Sequence, residues 1–354
     1  MKLTIARQDL ARVLTNVGRV IESRNTIPIL CNVLLEADAD GLRVTGTDLD
    51  IIATDRADAN TEEAGTICVN AKLLQDISKK ARSDVELKLE SDRLIVKSGR
   101  SVFRLATLPA ADFPSLAAGK LDATFDIDLA ALLAPASFAM STEETRFYLN
   151  GVFVHLQDEF IRAVATDGHR LSRHQVAYPG ESAFAGVIIP RKAVGIIPKG
   201  TVTVSVSEAK IRISAGDFVL TSKLIDGTFP DYQRFIPTGN DKIVTVDRDA
   251  FMKAADRVST ISTERGRAVK LSIAPGSVGF TVSNHDASAT DEIEAEYSGE
   301  PIEIGFNASY VRELFGILPS GPVVMSLADS GSPGLVTSPG FGGLTLVIMP
   351  MRVG

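Results

Sequence analysis

The chain is poor in the residues that build disulfide, metal and membrane chemistry. Its 354 residues include two cysteines, Cys31 and Cys68, each in an apolar, strand-like stretch. Two thiols so placed read as small buried side chains in a reducing compartment, not as a disulfide framework. The four histidines, His155, His169, His174 and His285, show no metal-ligand spacing with cysteine or carboxylate, so neither a metal nor another cofactor is expected. A glycine-rich loop of the kind that cradles phosphates is missing, which argues against an ATPase or a dinucleotide enzyme. No apolar run is long enough to span a bilayer. Met1-Lys2-Leu3-Thr4-Ile5 has no charged region followed by an apolar one, so no secretory signal is expected. Positive charge is in deficit too: the formal net charge is -7. That argues against gripping DNA through a basic exterior, but not against enclosing it.

What the sequence does have is repetition. An amphipathic helix pattern begins near Arg7, again near Asp128 and again near Arg248, and a second near Ala71, Arg191 and Ala308. The intervals are about 120 residues, too long for a solenoid unit and the size of a whole domain. In the first pattern Leu10, Val13, Leu14, Val17, Val20 and Ile21 form one apolar stripe, with Arg12, Asn16 and Arg19 opposite. The third repeat does the same with Phe251, Ala254, Ala255, Val258 and Ile261. In the second, Leu129, Leu132, Leu133, Ala136 and Met140 form the apolar stripe, but no basic residue lies between Asp128 and Met140, and Pro135 should kink the helix. The short helix begun at Pro190 must end by Pro198, and Asn307 is a good N-cap for the last one.

Between the helices, alternating runs such as Val85-Glu86-Leu87-Lys88-Leu89 and Val202-Thr203-Val204-Ser205-Val206 read as strands with one buried face. The expected fold class is therefore α+β, each repeat two helices on antiparallel sheet. The related segments Ala111-Asp112-Phe113-Pro114 and Phe229-Pro230-Asp231-Tyr232 read as linkers, giving domains 1–118, 119–240 and 241–354.

Two constellations suggest chemistry. Asp167-Gly168-His169 could be an Asp–His dyad of a hydrolase. A base needs a nucleophile and a pocket, however, and the equivalent turn Thr47-Asp48-Leu49-Asp50 has no histidine; a hairpin turn is the simpler reading. Lysines and arginines also recur on helices of equivalent rank: Arg12 and Arg19; Lys72, Lys79, Lys80 and Arg82; Arg191 and Lys192; Lys253 and Arg257. Any one set is ordinarily just solvated. If equivalent helices share a surface, they give an acidic protein a basic lining for sequence-independent phosphate contact. Met349-Pro350-Met351, at the end of a strand, offers an adaptable apolar patch.

Several segments together resemble the beta subunit of bacterial DNA polymerase III, the sliding-clamp family. They are Ile27-Pro28-Ile29-Leu30, Thr45-Gly46-Thr47-Asp48-Leu49, Leu108 to Pro114, Tyr148-Leu149-Asn150-Gly151, Ala165 to Leu171, Ile189-Pro190-Arg191-Lys192, Phe229-Pro230-Asp231-Tyr232 and Met349-Pro350-Met351-Arg352. The likeness runs essentially end to end. It implies the DNA clamp fold, a non-enzymatic processivity factor, and a head-to-tail homodimer forming a ring around double-stranded DNA. It further implies a cytoplasmic, nucleoid-associated protein whose partners are replicative and translesion polymerases, the clamp loader and mismatch-repair proteins.

The resemblance assigns a peptide pocket to Leu149, Thr166, Gly168, His169, Arg170, Leu171, Pro230, Arg234, Phe235, Val347, Met349, Pro350, Met351 and Arg352. It assigns DNA contact to Arg24, Arg146, Phe147 and Tyr148, to which the helix residues Lys72, Lys79, Lys80, Arg191 and Lys192 are added. The dimer seam should pair Phe103 and Leu105 with Thr260 and Ile261. The chain departs from the family pattern at Glu143, near the DNA path, at Pro198, and at Gly331-Ser332-Pro333-Gly334, where the pocket rim is expected.

Overall fold

The computed structural model describes residues 1–354 apart from 23–24, 116–120, 182, 262–267 and 353–354. Its elements fall into three similar series. The first is β1 (Lys2–Ile5), α1 (Arg7–Gly18), β2 (Asn32–Asp38), β3 (Gly41–Thr47), β4 (Ile51–Ala57), β5 (Asn60–Glu63), β6 (Gly65–Asn70), α2 (Ala71–Lys80), β7 (Val85–Glu90), β8 (Arg93–Ser98) and β9 (Ser101–Leu108). The second is β10 (Ala123–Ile127), α3 (Leu129–Ser137), β11 (Gly151–Gln157), β12 (Phe160–Thr166), β13 (Arg170–Ala177), β14 (Val187–Pro190), α4 (Arg191–Val194), β15 (Val202–Val206), β16 (Lys210–Ala215) and β17 (Phe218–Lys223). The third is β18 (Lys242–Asp247), α5 (Arg248–Ser259), β19 (Ala268–Ala274), β20 (Ser277–Ser283), β21 (Ser288–Glu296), β22 (Ile302–Asn307), α6 (Ala308–Ile317), β23 (Pro322–Leu327), β24 (Gly334–Thr337) and β25 (Leu344–Ile348). Two helices recur in each series, and only β5 has no counterpart.

The strands are not shared out by repeat. The chain packs as two compact units, Met1–Leu129 with Pro179–Phe184 and Gly195–Leu224, and Ala130–Tyr178 with Ala185–Val194 and Ile225–Gly354. In the first unit a 13-stranded sheet runs β10-β15-β16-β17-β4-β3-β2-β6-β9-β8-β7-β1-β5. In the second a 12-stranded sheet runs β14-β11-β12-β13-β25-β24-β23-β18-β21-β20-β19-β22. Repeat two therefore divides between both sheets. Its last strand β17 pairs antiparallel with β4, and its β13 pairs with β25. Joining sheets edge to edge satisfies backbone groups that would otherwise be exposed strand edges.

The helices form where the pattern predicts, with two differences. The helix begun at Arg7 ends at Gly18, and Val20 and Ile21 follow as tight turns whose N–H groups reach Val17 and Gly18. Ile21 still packs inward, against Gly46, where a β-carbon would come within 3.0 Å of it. Pro135 lies inside α3 but only two residues before its end, so little helix follows it. Asn70, Asp247 and Asn307 cap α2, α5 and α6 by accepting backbone N–H groups of the first turn. The core of the second unit centres on Phe251 and Phe315, stacked at 4.0 Å with both side chains buried. Both cysteines are free, and burial, aided by Asp112, pushes the Cys68 thiol up to about 11. So high a value leaves it protonated and inert near neutral pH. Among the described residues no helix is long and apolar enough to cross a membrane.

Candidate functional site

The second unit contains a small cavity with mostly apolar walls, of about 240 Å3. Register builds its floor. Thr166 lies opposite Leu171, and Leu171 opposite Val347, so three side chains from β12, β13 and β25 line up on one face. Leu149, Leu171 and Val347 belong to one buried cluster with Val164, Ile188, Phe229 and Tyr232. Arg146, Tyr148, Gly168, Arg170, Pro230, Phe235 and Met349 complete the wall. Phe235 is 57% exposed and Met349 38% exposed, a cost in exposed apolar area that a bound ligand would remove.

Each wall segment is held from behind. The turn before β13 is fixed by its own side chains: Thr166 Oγ1 donates to the Arg170 carbonyl and accepts from Gly168 N, while Asp167 Oδ1 accepts from His169 N and Arg170 N. The first repeat has the same turn, with Thr47 and Asp48 making the equivalent bonds to Ile51, Leu49 and Asp50. Its third position has φ 82 at Leu49 and φ 89 at Gly168. Arg170 is buried and fully engaged: it donates to Asp167, Glu313 and the Phe138 carbonyl, and stacks over the rings of Phe138 and Tyr310. Burial, chiefly, and the nearby Asp167 carboxylate raise the Tyr310 phenol above its ordinary value.

The linker wall rests on aromatic contacts. Phe229 stacks on Phe153 at 4.8 Å, and the Tyr232 hydroxyl lies 2.9 Å from His155 Nε2. These hold Pro230 and Phe235 against the floor. The chain end is tied by Met349 N to the His169 carbonyl and by Met351 N to the Gly305 carbonyl. The stretch from Ser141 to Asn150 is bound at both ends: Ser141 N donates to the Leu149 carbonyl, and Arg191 N to the Asn150 carbonyl. Gly331-Ser332 folds into a turn around Asp329, and Leu335 beyond it packs against the buried cluster.

Several expected residues sit elsewhere. His169 and Arg234 are exposed outside the cavity wall, Arg234 paired with Asp231, and Met351 and Arg352 are exposed beyond Met349. Pro350 lies between them and is partly buried. Arg146 and Tyr148, expected on DNA, contribute to the cavity wall. Phe147 beside them is 52% exposed. The Asp167–His169 dyad does not form: both Asp167 oxygens are taken up by the turn and by Arg170, and the His169 ring lies 6.0 Å from that of Tyr310.

The basic helix residues are similarly committed. Arg12 pairs with the buried Asp55, and Arg19 donates to the Gly195 and Ile196 carbonyls. Arg191 donates to the Met140 and Ser141 carbonyls, Arg257 pairs with Asp291, and Lys72 pairs with Asp76 one turn on. Lys79 and Lys80 are exposed on the last turn of α2, and Lys192 is partly buried. Arg24 lies outside the described residues. Of the seam residues, Phe103 is exposed, Leu105 and Ile261 are partly buried, and Thr260 is exposed at the end of α5. Two larger clefts, of about 570 and 340 Å3, are more polar, the first rimmed by Asp247, Glu294 and Glu296 and the second by Arg12, Arg19, Asp55 and Asp217.

Three family models cover the chain: the DNA polymerase III beta subunit N-terminal domain over residues 1–117, its central domain over 127–231 and its C-terminal domain over 233–352. The beta sliding clamp of Caulobacter vibrioides is 44% identical over 372 residues, with all of both chains covered. The crystal structure of the DNA polymerase sliding clamp from Caulobacter crescentus is 44% identical and superimposes with a TM-score of 0.95, with both chains fully covered. That of the Bartonella birtlesii sliding clamp bound to griselimycin is 43% identical, with a TM-score of 0.95 and full coverage of both chains.

Proposed function

The chain belongs to the DNA polymerase III beta subunit family, the bacterial sliding clamps, and from that premise we propose how this molecule holds DNA and recruits its partners. Its fold is the three-domain clamp fold, and it is a non-catalytic processivity subunit of the polymerase holoenzyme. The proposed domains are 1–118, 119–240 and 241–354. Two copies associate head to tail into a ring that encloses double-stranded DNA, and the cavity at Leu171 and Val347 receives an extended peptide with apolar anchors. Polymerases, the clamp loader and mismatch-repair proteins supply such peptides.

One observation carries the ring. Within the chain, the fourth strand of one repeat pairs with the last strand of the next, β4 with β17 and β13 with β25. The remaining strands of those two ranks are β21 and β9. On the side of β9 away from β8, only Thr107 and Leu108 are paired among the described residues, leaving Ser101–Ala106 open. On the side of β21 away from β20, only Ala295 and Glu296 are paired, leaving Ser288–Glu294 open. The same antiparallel joint between β9 of one copy and β21 of another is heterologous and closes if the rotation is right. A closed ring holds DNA by topology, so weak phosphate contacts from exposed groups such as Lys79 and Lys80 suffice.

The cavity supports the peptide reading because it is concave, largely apolar and edged by a few fixed polar groups. Topological retention tests the whole. The protein is loaded onto nicked circular plasmid with a clamp loader and ATP, and half the sample is then linearised. Retention on circles with loss from linear ends is expected; equal retention on both overturns encirclement.

A further inference from the structure

Glu143 lies three residues before Arg146, a residue of the cavity wall, and pairs with it. Arg146 donates Nε to Glu143 Oε2 at 2.8 Å and Nη2 to Oε1 at 2.6 Å, a two-pronged ion pair that fixes the plane of the guanidinium. The third nitrogen, Nη1, has no hydrogen-bond partner among the described residues. It lies over Gly168, where a β-carbon would meet it at 2.8 Å. Arg146 and Gly168 both line the cavity, and Nη1 is the guanidinium nitrogen nearest Gly168. The other nearby carboxylate, Asp167, is occupied by Arg170. Glu143 thus does two things to Arg146: it holds the side chain in one orientation and offsets part of its charge.

We propose that Glu143 is a specificity-determining residue of the peptide pocket, making Arg146 Nη1 a donor that favours a neutral oxygen of the bound peptide over a carboxylate. This rests on reading the cavity as a peptide site. An unpaired guanidinium would attract an acidic side chain strongly. A guanidinium already paired offers a carboxylate little net charge, and the Glu143 carboxylate repels it. Backbone carbonyls and side-chain amides feel neither effect and keep the directional hydrogen bond.

The experiment uses a series of fluorescein-labelled peptides with two fixed leucine anchors. A single Asp or Asn is stepped along the series, and binding is read by polarisation against full-length wild type, E143Q, R146A and the double variant. Glu143 and Arg146 are both partly solvated, so E143Q leaves the fold intact, which a thermal melt checks. At the position that reaches Arg146, E143Q should shift the Asp-to-Asn affinity ratio toward Asp by about threefold to fivefold. The shift should shrink at high salt and vanish when Arg146 is absent. An unchanged ratio at every position, or a shift that persists in the R146A background, overturns the proposal. If wild type binds no peptide of the series, the pocket reading falls, and this proposal with it.

Discussion

Leu49 and Gly168 occupy the same position of the same turn, and the comparison is already built into the chain. Both have positive φ, which a side chain with a β-carbon pays for and glycine does not. Leu49 is 42% exposed, so its removal sacrifices little packing. Leu49→Gly should therefore raise stability by about 0.5–1 kcal/mol despite the greater freedom glycine gives the unfolded chain. Gly168→Ala should lower it by about 1–2 kcal/mol, since the new methyl is strained and collides with Arg146. Urea midpoints of the two variants and wild type decide it, and equal midpoints would show that the turn carries no strain. At this scale the sequence was only half legible. That Thr166 and Asp167 make a turn could be read from the repeat of Thr47 and Asp48. That Asp167 is thereby spent, and unable to orient His169, depends on Arg170 reaching its second oxygen. Arg146 and Tyr148 as cavity wall carried no local signal, because the wall exists only where Pro230 and Val347 are brought to them from distant parts of the chain.

Among elements, helices were legible as apolar stripes, but the purpose of their basic faces was not. Arg7 and Arg248 each open the first helix of a repeat, and each donates to carbonyls at the end of the second, Ala81 and Phe315. Arg191 does the reverse, opening the second helix and binding the chain just past the first. Cations at such ends satisfy carbonyls that the helix leaves unpaired. Of the basic residues whose recurrence suggested a shared phosphate-facing surface, Arg191 is held by this packing contact, and nothing in the spacing of arginines distinguishes the two roles. The linker against β11 has a pH consequence. His155 is desolvated beneath Tyr232, and burial lowers its pKa below the usual 6.5. The folded state therefore keeps it neutral where the unfolded chain would take a proton. Its contribution is complete above 6.5 and is lost as pH falls from there through the depressed folded value. Denaturant midpoints should drop as pH falls below about 6.5, and drop less in His155→Gln. The depressed carboxylates, Glu143 and Asp329 among them, titrate below this window. An identical drop in the variant would assign the effect elsewhere.

For the whole molecule, the decisive feature is which edges remain unpaired. Strand edges are liabilities that soluble proteins cover, twist or charge. In this chain four of the six strands of the joining ranks, β4, β17, β13 and β25, are covered by the chain's own repeats, and among the described residues most of β9 and β21 is not. The repeat of about 120 residues was visible from sequence alone, but the strand exchange that distributes repeat two over both sheets was not, because pairing between β17 and β4 links residues far apart in the chain. The open part of β9 also presents Val102 at 45% and Phe103 at 40% exposure, apolar area that a lone chain would leave in water at about 25 cal/mol per Å2. A charge placed there should be tolerated by the monomer fold and opposed only by a partner. Phe103→Arg is accordingly expected to leave the thermal melt of the folded chain nearly unchanged while shifting its mass by light scattering from dimer toward monomer. Retention on circular DNA should fall in parallel, since a ring that opens readily no longer confines its substrate. The control is Arg7→Met, which belongs to neither open strand and loosens the contact with Ala81: it should lower stability without altering the mass. If Phe103→Arg remains dimeric at micromolar concentration, β9 is not the joint, and the edge left by β21 has to be covered by something other than its counterpart in a second copy.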